Sequence, residues 1–429
     1  MFLLEQLRLT MILRWFYSFL LMVVSPFFLY SLYKSKPNKP KFGQRWKEHF
    51  GITPALQISS GDIVWFHTVS VGETIAATPL IKAYHQLHPT HNIVVTTTTS
   101  TGAEQAMKIG DFVQHRYMPV DFSWTVRRFI RTINPQKLFI METELWPNTL
   151  TTAGQNNIEI TILNARLSER SFLRYKKFQG IFNLLSNPIN QILCQTQEDA
   201  DRFITLGINT KKVQVTGSLK FDIDISPAII HSGKTLRESI GIRPIWVVAS
   251  THQGEDSIIL TAHQKLIEEI KDLLLIIVPR HPERFDNVSQ LSEQYGFQTQ
   301  RRTSQQVIDP QTQVFIGDTM GEMLTFIGAA DICFMGGSLI GDKVGGHNLL
   351  EPAALAKPCL TGPSYYNFKL ITEQLIAVDA CKICNDSRTI INTVKQLVND
   401  KALQQSSGQA ALKIVNKSKG ALRKTLYLL

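Results

Sequence analysis

The chain has 429 residues, of which 44% are hydrophobic and 19% are charged, and its formal net charge is +10. That length exceeds one typical core and predicts two domains. Residues 1–60 hold eight Lys and Arg against two acidic residues, so most of the excess charge lies near the N-terminus. The weak positive charge elsewhere disfavours nucleic acid as a partner.

An uncharged apolar segment, Trp15–Tyr33, lies near the N-terminus and has about the length that crosses a bilayer core, roughly 20 residues. Basic residues follow it rather than a small-residue cleavage site, which favours a membrane anchor over a cleaved signal peptide. These residues form a basic collar that suits anionic headgroups and a cytoplasmic orientation. Whether the segment spans the bilayer or lies in one leaflet is open at this point. The basic collar consists of Lys34, Lys36, Lys39, Lys41, Arg45 and Lys47.

Short apolar runs rich in β-branched residues then alternate with helical segments almost to the C-terminus. Such runs predict parallel sheets that are covered on both faces. The alternation lapses over Phe221–Ser232, which predicts an interdomain linker. The predicted strands are Ile63–Thr68, Ile93–Thr98, Lys137–Met141, Ile158–Leu163, Ile192–Gln195, Val213–Thr216, Ile245–Ala249, Leu273–Val278, Val314–Ile316, Ile332–Met335 and Pro358–Leu360.

The pattern predicts an α/β fold with two Rossmann-like domains. Residues 1–48 form the membrane anchor and collar, 49–222 the first domain, 232–400 the second domain, and 401–429 a C-terminal helix. Two such domains that face each other would enclose a cleft, and open α/β sheets bind ligands beyond the carboxyl ends of their strands.

Candidate catalytic side chains follow the strands of the first domain. Glu73 stands where a strand turns into a helix, and its carboxylate either caps that helix or serves as a general base. Glu142 and Glu144 directly follow a buried run, a placement that favours a function. Lys220 is expected near the floor of the cleft, and the donor-rich segment Asn164–Ser171 suits an anionic or polyhydroxyl ligand.

Polar, glycine-marked turns also follow four strands of the second domain. Arg280 is well placed to hold a phosphate. The glycine-dense loop Gly336–Leu360 opens a helix-like segment near Asn348, with Glu351 in its first turn. Glycines admit a close ligand, a helix start offers N–H groups to an anion, and a carboxylate suits a ribose diol. The loop is interpreted as a nucleotide site, with a purely structural connection as the alternative.

Several motifs that are typical of other enzyme classes are absent or occur outside their usual structural context. Asp222-Ile-Asp224 has the D-x-D form of some metal-dependent glycosyltransferases, but it lies in the expected linker. Neither the dinucleotide fingerprint nor a P-loop is present, which disfavours NAD enzymes and NTPases. Cys381 and Cys384 form a lone C-x-x-C without a second pair, and the cysteine usage favours a reducing compartment. No metal and no other cofactor is predicted.

Eight motifs occur in an order that is highly specific as a set. They are SVGE at 70–73, METELWPN at 141–148, NARLSERS at 164–171, GSLKFD at 217–222, STHQGE at 250–255, PRHPERF at 279–285, GDTMGE at 317–322 and GGHNLLEPAA at 345–354. With them the chain resembles, over nearly its whole length, the Kdo (3-deoxy-D-manno-octulosonic acid) transferases of Gram-negative bacteria. These are membrane-anchored GT-B enzymes of glycosyltransferase family 30.

The resemblance implies a GT-B fold and inverting transfer of Kdo from CMP-Kdo to the lipid A precursor lipid IVA, in lipopolysaccharide core biosynthesis. It makes Glu73 the general base, with Glu142 and Lys220 supporting the transition state. Relatives often have Pro where this chain has Leu349. The implied location is the inner membrane, single-pass or monotopic, with the catalytic domains on the cytoplasmic side. The implied CMP site consists of Pro279, Arg280, Met320, Gly321, Glu322, Asn348, Leu349, Leu350 and Glu351.

Two other functions stay open at the level of sequence. One is a GT-B sugar-nucleotide glycosyltransferase or epimerase with another donor, and the other is a non-enzymatic membrane scaffold. The basic collar fits a scaffold, but the polar strand ends would then have no purpose. The sequence specifies neither the number of Kdo residues added nor the oligomeric state.

Overall fold

The computed structural model describes residues 2–34, 40–58, 60–223 and 225–429. The chain divides into two compact units, Met1–Asp222 with Gly420–Leu429, and Ile223–Lys419. Each unit is built on one parallel sheet of seven strands with helices between them. This architecture confirms the expected α/β class with two Rossmann-like units. Lys36, Lys39 and Asp224 lie outside the described residues.

The first unit has the strand order β3-β2-β1-β4-β5-β6-β7. Its strands are β1 Ile63–His67, β2 Asn92–Thr97, β3 Val113–Tyr117, β4 Lys137–Met141, β5 Glu159–Ala165, β6 Gln191–Cys194 and β7 Val213–Val215. Its helices up to this point are α1 Phe2–Tyr33, α2 Val71–Leu87, α3 Ser100–Met107, α4 Ser123–Ile133, α5 Pro147–Gln155, α6 Glu169–Lys177, α7 Gln179–Ser186 and α8 Gln197–Thr205.

The second unit has the strand order β10-β11-β9-β8-β12-β13-β14. Its strands are β8 Ile245–Thr251, β9 Leu274–Pro279, β10 Thr299–Arg301, β11 Val314–Ile316, β12 Ile332–Met335, β13 Cys359–Thr361 and β14 Cys381–Ile383. Its helices are α9 Pro227–Ile240, α10 Asp256–Glu269, α11 Phe285–Gln294, α12 Met323–Ala329, α13 Leu350–Ala354, α14 Lys369–Ile376, α15 Ser387–Asn399 and α16 Lys401–Ser418. Helix α9 begins inside the segment that the sequence predicts to be a linker.

The central strands carry apolar side chains on both faces of each sheet. In β1, Trp65 packs on one face against Phe129, with ring centroids 4.9 Å apart. Its neighbour Phe66 points to the other face and packs against Phe139 at 5.0 Å. Because helices cover both faces, polar groups of these strands are confined to the strand ends. Each sheet therefore places its polar side chains along the side that is formed by the ends of its strands.

The three strands that the sequence pattern missed are all edge strands. Strands β3, β10 and β14 each have a neighbour on one side only. Their sequences are VQHRY, TQR and CKI, and only some of these side chains are buried. An edge strand is partly exposed and needs no continuous apolar run, so the periodicity that marks the central strands is absent.

The C-terminal segment expected as one helix forms two. Helix α16 ends at Ser418, and Gly420, with φ of +87°, turns the chain into α17, Ala421–Tyr427. The Asp222 carboxylate accepts hydrogen bonds from the backbone N–H groups of Gly420 at 3.2 Å and Leu422 at 2.6 Å. The last ten residues therefore belong to the first unit. Asp222, part of the D-x-D pattern, has a structural role.

The predicted membrane segment is part of the long helix α1. Residues Met11–Tyr33 form a stretch of 23 residues with mean hydropathy 1.7, and little of it is buried. By length and composition this stretch is able to cross a membrane. The anchor-helix prediction is therefore consistent with the structure.

Helix α16 packs closely behind α13, and Gly408 makes this approach possible. A Cβ atom at Gly408 would lie 2.1 Å from the carbonyl oxygen of Ala356, just after α13. We expect Gly408→Ala to lower the free energy of unfolding by about 1–3 kcal/mol, because the backbone must shift to relieve the overlap. Thermal unfolding of the purified chain measures this.

The matched control is Gln405→Ala, at an exposed position of the same helix. It should change stability by less than about 0.5 kcal/mol. A Gly408→Ala variant as stable as this control would contradict the close contact between α16 and Ala356.

Candidate active site

Glu73 lies in the first turn of α2, directly after β1. Its backbone N–H donates to the Ser70 hydroxyl at 3.3 Å, and that hydroxyl donates back to Glu73 Oε1 at 2.7 Å. The N–H of Val69 donates to Oε2 at 2.8 Å. The residue is 8% exposed. The capping interpretation of Glu73 is thus correct as geometry, and it holds the carboxylate in a fixed orientation.

The surroundings of Glu73 favour proton uptake. Burial raises the pKa of its carboxyl group, the hydrogen bonds from Val69 and Ser70 lower it, and the negative charges of Glu142 and Glu144 raise it again. A carboxylate with a raised pKa is a stronger base than an ordinary surface glutamate. At one edge of the first sheet, Glu142 and Glu144 therefore lie close enough to Glu73 for their charges to act on it.

Glu142 and Lys220 form an ion pair at the same edge. The Lys220 ammonium contacts Glu142 Oε1, and the two side chains are 46% and 28% exposed. Glu142 has φ of +57°, an uncommon conformation for a residue with a side chain, directly after β4. Its N–H still bonds to the Leu163 carbonyl at 2.8 Å. The backbone turn projects the carboxylate away from the strand, toward Lys220.

Asn164 supports this pair from within β5. It is fully buried, has φ of +54° and lies at an irregularity of the β5–β6 pairing. Its Oδ1 accepts a hydrogen bond from the N–H of Leu219 at 2.9 Å, which fixes the residue before Lys220. The sequence suggested a ligand-binding role for the segment that begins at Asn164. The structure shows a positioning role for Asn164 that the pattern did not reveal, and the ligand-binding role of the segment stays a prediction.

His67 and Trp146 complete the buried side of this edge. His67 Nδ1 and Thr96 Oγ1 are 2.9 Å apart, and its ring lies 5.2 Å from the Trp146 ring. The indole N–H of Trp146 donates to Glu144 Oε2 at 3.2 Å. Burial lowers the pKa of His67 to about 4, so the imidazole is neutral near pH 7. Trp146 therefore holds Glu144 to the first sheet, next to β1.

In the second unit, the glycine loop after β12 binds an internal carboxylate. Fully buried Glu255 accepts hydrogen bonds from the backbone N–H groups of Gly337 at 2.7 Å, Ser338 at 2.9 Å and Leu339 at 2.9 Å. The N–H of His252 donates to it as well, at 2.9 Å. The sequence predicted N–H groups for an anion at the helix start near Asn348, and this stays a prediction. The N–H groups of residues 337–339, at the beginning of the same loop, are occupied by the Glu255 carboxyl group.

Two stacked histidines connect the loops after β8 and β12. The rings of His252 and His347 lie 5.1 Å apart at 13°, with their Nε2 atoms 2.9 Å from each other. One Nε2 must carry a proton and the other must not. Burial lowers the pKa of His347 to about 4, helped by the charges of His252, Arg280 and His281. The pair holds the segment before Asn348 beside the β8 loop.

Arg280 and Glu351 are electrostatically coupled. Burial raises the pKa of Glu351, while Arg280 and a hydrogen bond with Asn348 lower it. The N–H of Arg280 donates to the Thr251 carbonyl at 3.0 Å, and its side chain is exposed. Pro279, by contrast, is the buried last residue of β9. The second unit therefore combines a cation, a partly buried carboxylate and an amide at the strand ends.

The residues around Asn348 differ in what they offer a ligand. Helix α13 begins at Leu350, two residues after the expected start, and Asn348 Oδ1 accepts from the N–H of Leu350 at 3.1 Å. Leu349 and Leu350 are only 1% and 3% exposed, so their side chains belong to the core. Their contribution to a ligand site is restricted to backbone groups.

The segment Met320–Glu322 contains one exposed side chain and one that is paired with an arginine. Met320 is 65% exposed, and Gly321 has φ of +86°. Glu322 accepts two hydrogen bonds from Arg302, at 2.8 and 3.1 Å, which lower the pKa of its carboxyl group. Sequence reasoning missed this Arg302 fork because the two residues are 20 positions apart.

The described residues contain no cluster of three or more His, Cys, Asp or Glu side chains with the geometry of a metal site. All five cysteines are free and buried. Burial raises the pKa of Cys381 to about 12 and that of Cys384 to about 11, so both stay protonated thiols at neutral pH. The lone C-x-x-C is part of the core.

Two parallel seven-stranded sheets with these strand ends define an α/β protein of the GT-B class. A family model described as 3-Deoxy-D-manno-octulosonic-acid transferase (kdotransferase) matches residues 44–223. The chain is 38% identical over 419 residues to a 3-deoxy-D-manno-octulosonic acid transferase of Haemophilus influenzae, covering 97% of this chain and 98% of the relative. The chain thus belongs to the Kdo transferase family and is a glycosyltransferase, which confirms the resemblance.

A second relative agrees with this assignment. It is a 3-deoxy-D-manno-octulosonic acid transferase of Bordetella pertussis, 34% identical over 378 residues, which cover 85% of this chain and 86% of the relative. Among solved structures, the chain is similar to the C-terminal CMP-Kdo binding domain of WaaA from Acinetobacter baumannii. The two are 33% identical, the match covers 44% of this chain and 99% of that domain, and the TM-score is 0.43.

The Glu255 network predicts a specific effect on the glycine loop. We expect Glu255→Ala to leave four backbone N–H groups unpaired, and each buried unpaired group costs about 1–3 kcal/mol. Hydrogen exchange at Gly337, Ser338 and Leu339 should accelerate strongly, and the melting temperature should fall. Peptide-resolved hydrogen exchange measures the first effect.

The control is Glu268→Ala, which removes an exposed carboxylate paired with Lys265 in the same unit. It should leave exchange in the loop unchanged. Unaltered exchange at residues 337–339 in Glu255→Ala would refute the role of Glu255 as their acceptor.

Proposed function

We propose that the chain transfers Kdo from CMP-Kdo to a lipid A precursor, lipid IVA, in an inverting reaction. Membership of the Kdo transferase family supports the transferred sugar. The observation that carries the mechanism is the buried Glu73 carboxylate, with its raised pKa and fixed orientation beside the Glu142–Lys220 pair. These groups lie in the segment that the family model matches.

Glu73 is proposed as the general base. It removes the proton of the acceptor hydroxyl as that oxygen attacks the anomeric carbon of Kdo, and CMP departs from the opposite face. One displacement inverts the configuration at that carbon and requires no covalent sugar–enzyme intermediate. The hydrogen bonds from Val69 and Ser70 to its two carboxylate oxygens hold the base in place.

Glu142 and Lys220 are proposed to support the transition state. Sugar transfer of this kind passes through an oxocarbenium-like state with developing positive charge. The Glu142 carboxylate suits that charge, and Lys220 both orients Glu142 and supplies a cation for the anionic groups of the donor. Asn164, through the N–H of Leu219, keeps Lys220 in position.

The CMP site is proposed to lie at the strand ends of the second unit. Arg280 is the candidate phosphate ligand, and Glu351 is the candidate acceptor for the ribose hydroxyls. Pro279, Met320 and Gly321 would contribute van der Waals and backbone contacts. Asn348, Leu349, Leu350 and Glu322 would shape the site. A nucleoside monophosphate carries less charge than a diphosphate, so this proposal assigns the charge balance to side chains and needs no metal.

The proposed location is the cytoplasmic side of the inner membrane. The apolar stretch of α1 and the described basic residues Lys34, Lys41, Arg45 and Lys47 support membrane association. A lipid acceptor with phosphate groups would be reached most directly from such a surface.

The general base is tested with Glu73→Gln, which preserves size and removes the base. We expect transfer to fall by about 10²–10⁴-fold, while the dissociation constant for CMP stays unchanged. Single-turnover transfer from CMP-Kdo and calorimetric titration with CMP measure the two effects separately.

Glu104→Gln, an exposed glutamate on α3 paired with Lys108, is the matched control and should keep full activity. In the unmodified enzyme the ionised base is lost as the pH falls through the raised pKa of Glu73. In the pH profile of kcat/KM, the apparent pKa of the acidic limb should therefore lie above that of an ordinary glutamate. Near-normal transfer by Glu73→Gln would remove Glu73 from the role of base.

A separate test addresses the Glu142–Lys220 pair. Partly exposed ion pairs contribute about 0–1 kcal/mol to stability, so Lys220→Met and Glu142→Gln should change the melting temperature little. Both should reduce kcat by about 10²–10³-fold, the range for removal of one electrostatic contact in a transition state. If either variant loses activity only in proportion to lost folded protein, the pair is structural.

A further inference from the structure

Helix α1 contacts the rest of the first unit along one continuous stripe of side chains. The less exposed positions of the helix recur every three or four residues, the period of one helical face. Helices α5 and α7 pack against this stripe. The stripe consists of Arg14, Ser18, Leu21, Ser25, Leu29 and Leu32.

Polar contacts fix the first part of the stripe. Arg14 Nη2 donates to the Ser123 hydroxyl at 2.9 Å, at the start of α4. Asn148 Nδ2 donates to the Ser18 hydroxyl at 3.0 Å, at the start of α5. Asn148 is itself fully buried and donates to the Asp121 backbone oxygen at 2.6 Å. The N-terminal half of the apolar stretch is therefore bonded to the folded unit.

The other end of the helix is bonded to the same unit. The Tyr33 hydroxyl and His49 Nδ1 are 2.8 Å apart. Leu32 is 8% exposed and packs with Phe42 and Tyr117 in a small core. Arg14 and Tyr33 are thus both anchored, and the helix between them measures about 28 Å at ~1.5 Å per residue.

A helix that crosses a bilayer must have its ends on opposite sides of a hydrocarbon core about 30 Å thick. Here both ends of a stretch of that length are bonded to one globular unit. Crossing would either break these contacts or draw the polar surface of the unit into hydrocarbon, where unpaired polar groups cost several kcal/mol each. We propose that α1 does not cross the bilayer. It lies in the plane of one leaflet, with one face packed against the rest of the first unit.

The outer face of α1 has the chemistry of a leaflet-inserting surface. Its exposed large side chains between residues 11 and 30 are all apolar. A face of this kind, on a helix whose other side is docked, inserts at the boundary between headgroups and acyl chains. The exposed set is Met11, Ile12, Trp15, Phe16, Phe19, Leu20, Met22, Val23, Val24, Phe27, Phe28 and Tyr30.

Positive charge accompanies this face. A pocket of about 610 Å³ lies between α1 and the start of α4, and it is lined by Arg14 and Arg127 among mainly apolar side chains that include Trp15 and Trp124. Lys34 and Lys41 are exposed at the other end of the helix. Cations beside an apolar face match anionic lipid headgroups. The partner of this surface is therefore a lipid leaflet with anionic lipids.

The depth of α1 in the membrane tests this orientation independently of sugar transfer. All five native cysteines are buried, so one added exposed cysteine can carry a spin label. The full-length chain would be bound to vesicles of phosphatidylethanolamine and phosphatidylglycerol. The four variants are Ile12→Cys, Phe16→Cys, Val23→Cys and Phe27→Cys, all on the exposed face.

An in-plane helix places these four labels at similar, shallow depths. A spanning helix places the label at position 23 near the bilayer centre and that at position 12 near one surface. A bell-shaped depth profile would overturn the proposal. Labels that lipid-soluble oxygen does not reach would also overturn it, since they would show that protein covers the face.

A charge placed on the outer face of α1 should weaken the binding of the chain to membranes. Phe16→Asp should reduce flotation with anionic vesicles, whereas Ile242→Asp, at a fully exposed apolar position of the second unit, should not. Equal flotation of both variants would show that the outer face of α1 is not the membrane-binding surface.

Discussion

Burial of both faces of each parallel sheet is the constraint on which the rest of the structure depends. Strands such as β1 carry apolar side chains above and below, so polar chemistry is displaced to the strand ends. Many polar residues are found at those strand ends. At Glu142, Asn164 and Ser250 the backbone adopts positive φ without glycine, which turns the chain sharply where a strand stops. Glu142, one of the candidate catalytic groups of the first unit, stands at such a turn, directly after β4.

Two buried carboxylates show how environment separates structural from chemical roles. Glu255 is fully buried and accepts four backbone N–H groups, which ties the loops after β8 and β12 together. Burial raises the pKa of Glu73, which accepts two hydrogen bonds that lower it and lies near Glu142 and Glu144, whose charges raise it further. The first carboxylate is occupied by four backbone donors, whereas the second accepts fewer hydrogen bonds and has a raised pKa. That contrast is the physical basis for proposing Glu73 as the base.

The sequence predicted the central strands because they are continuous apolar runs, and the structure confirms the α/β class. It missed β3, β10 and β14, because edge strands are half exposed and only their pairing defines them. Long-range partnerships were also beyond reach: Asn164 with Leu219, Arg302 with Glu322, and Glu255 with the glycine loop. Each joins residues that only the tertiary fold brings together. The roles of Glu73, Glu142 and Lys220 stay predictions, supported by their common position at one sheet edge.

Mass spectrometry of the lipid product tests most directly the proposal that this member of the Kdo transferase family uses CMP-Kdo to modify lipid IVA, a phosphorylated, acylated glucosamine disaccharide. The full-length chain would be incubated in mixed micelles with lipid IVA and either CMP-Kdo or a UDP-sugar. The account predicts that CMP-Kdo increases the mass of lipid IVA by one or more whole Kdo residues and that CMP is released in equal number. An unmodified lipid with CMP-Kdo, or a product formed from the UDP-sugar instead, would contradict it.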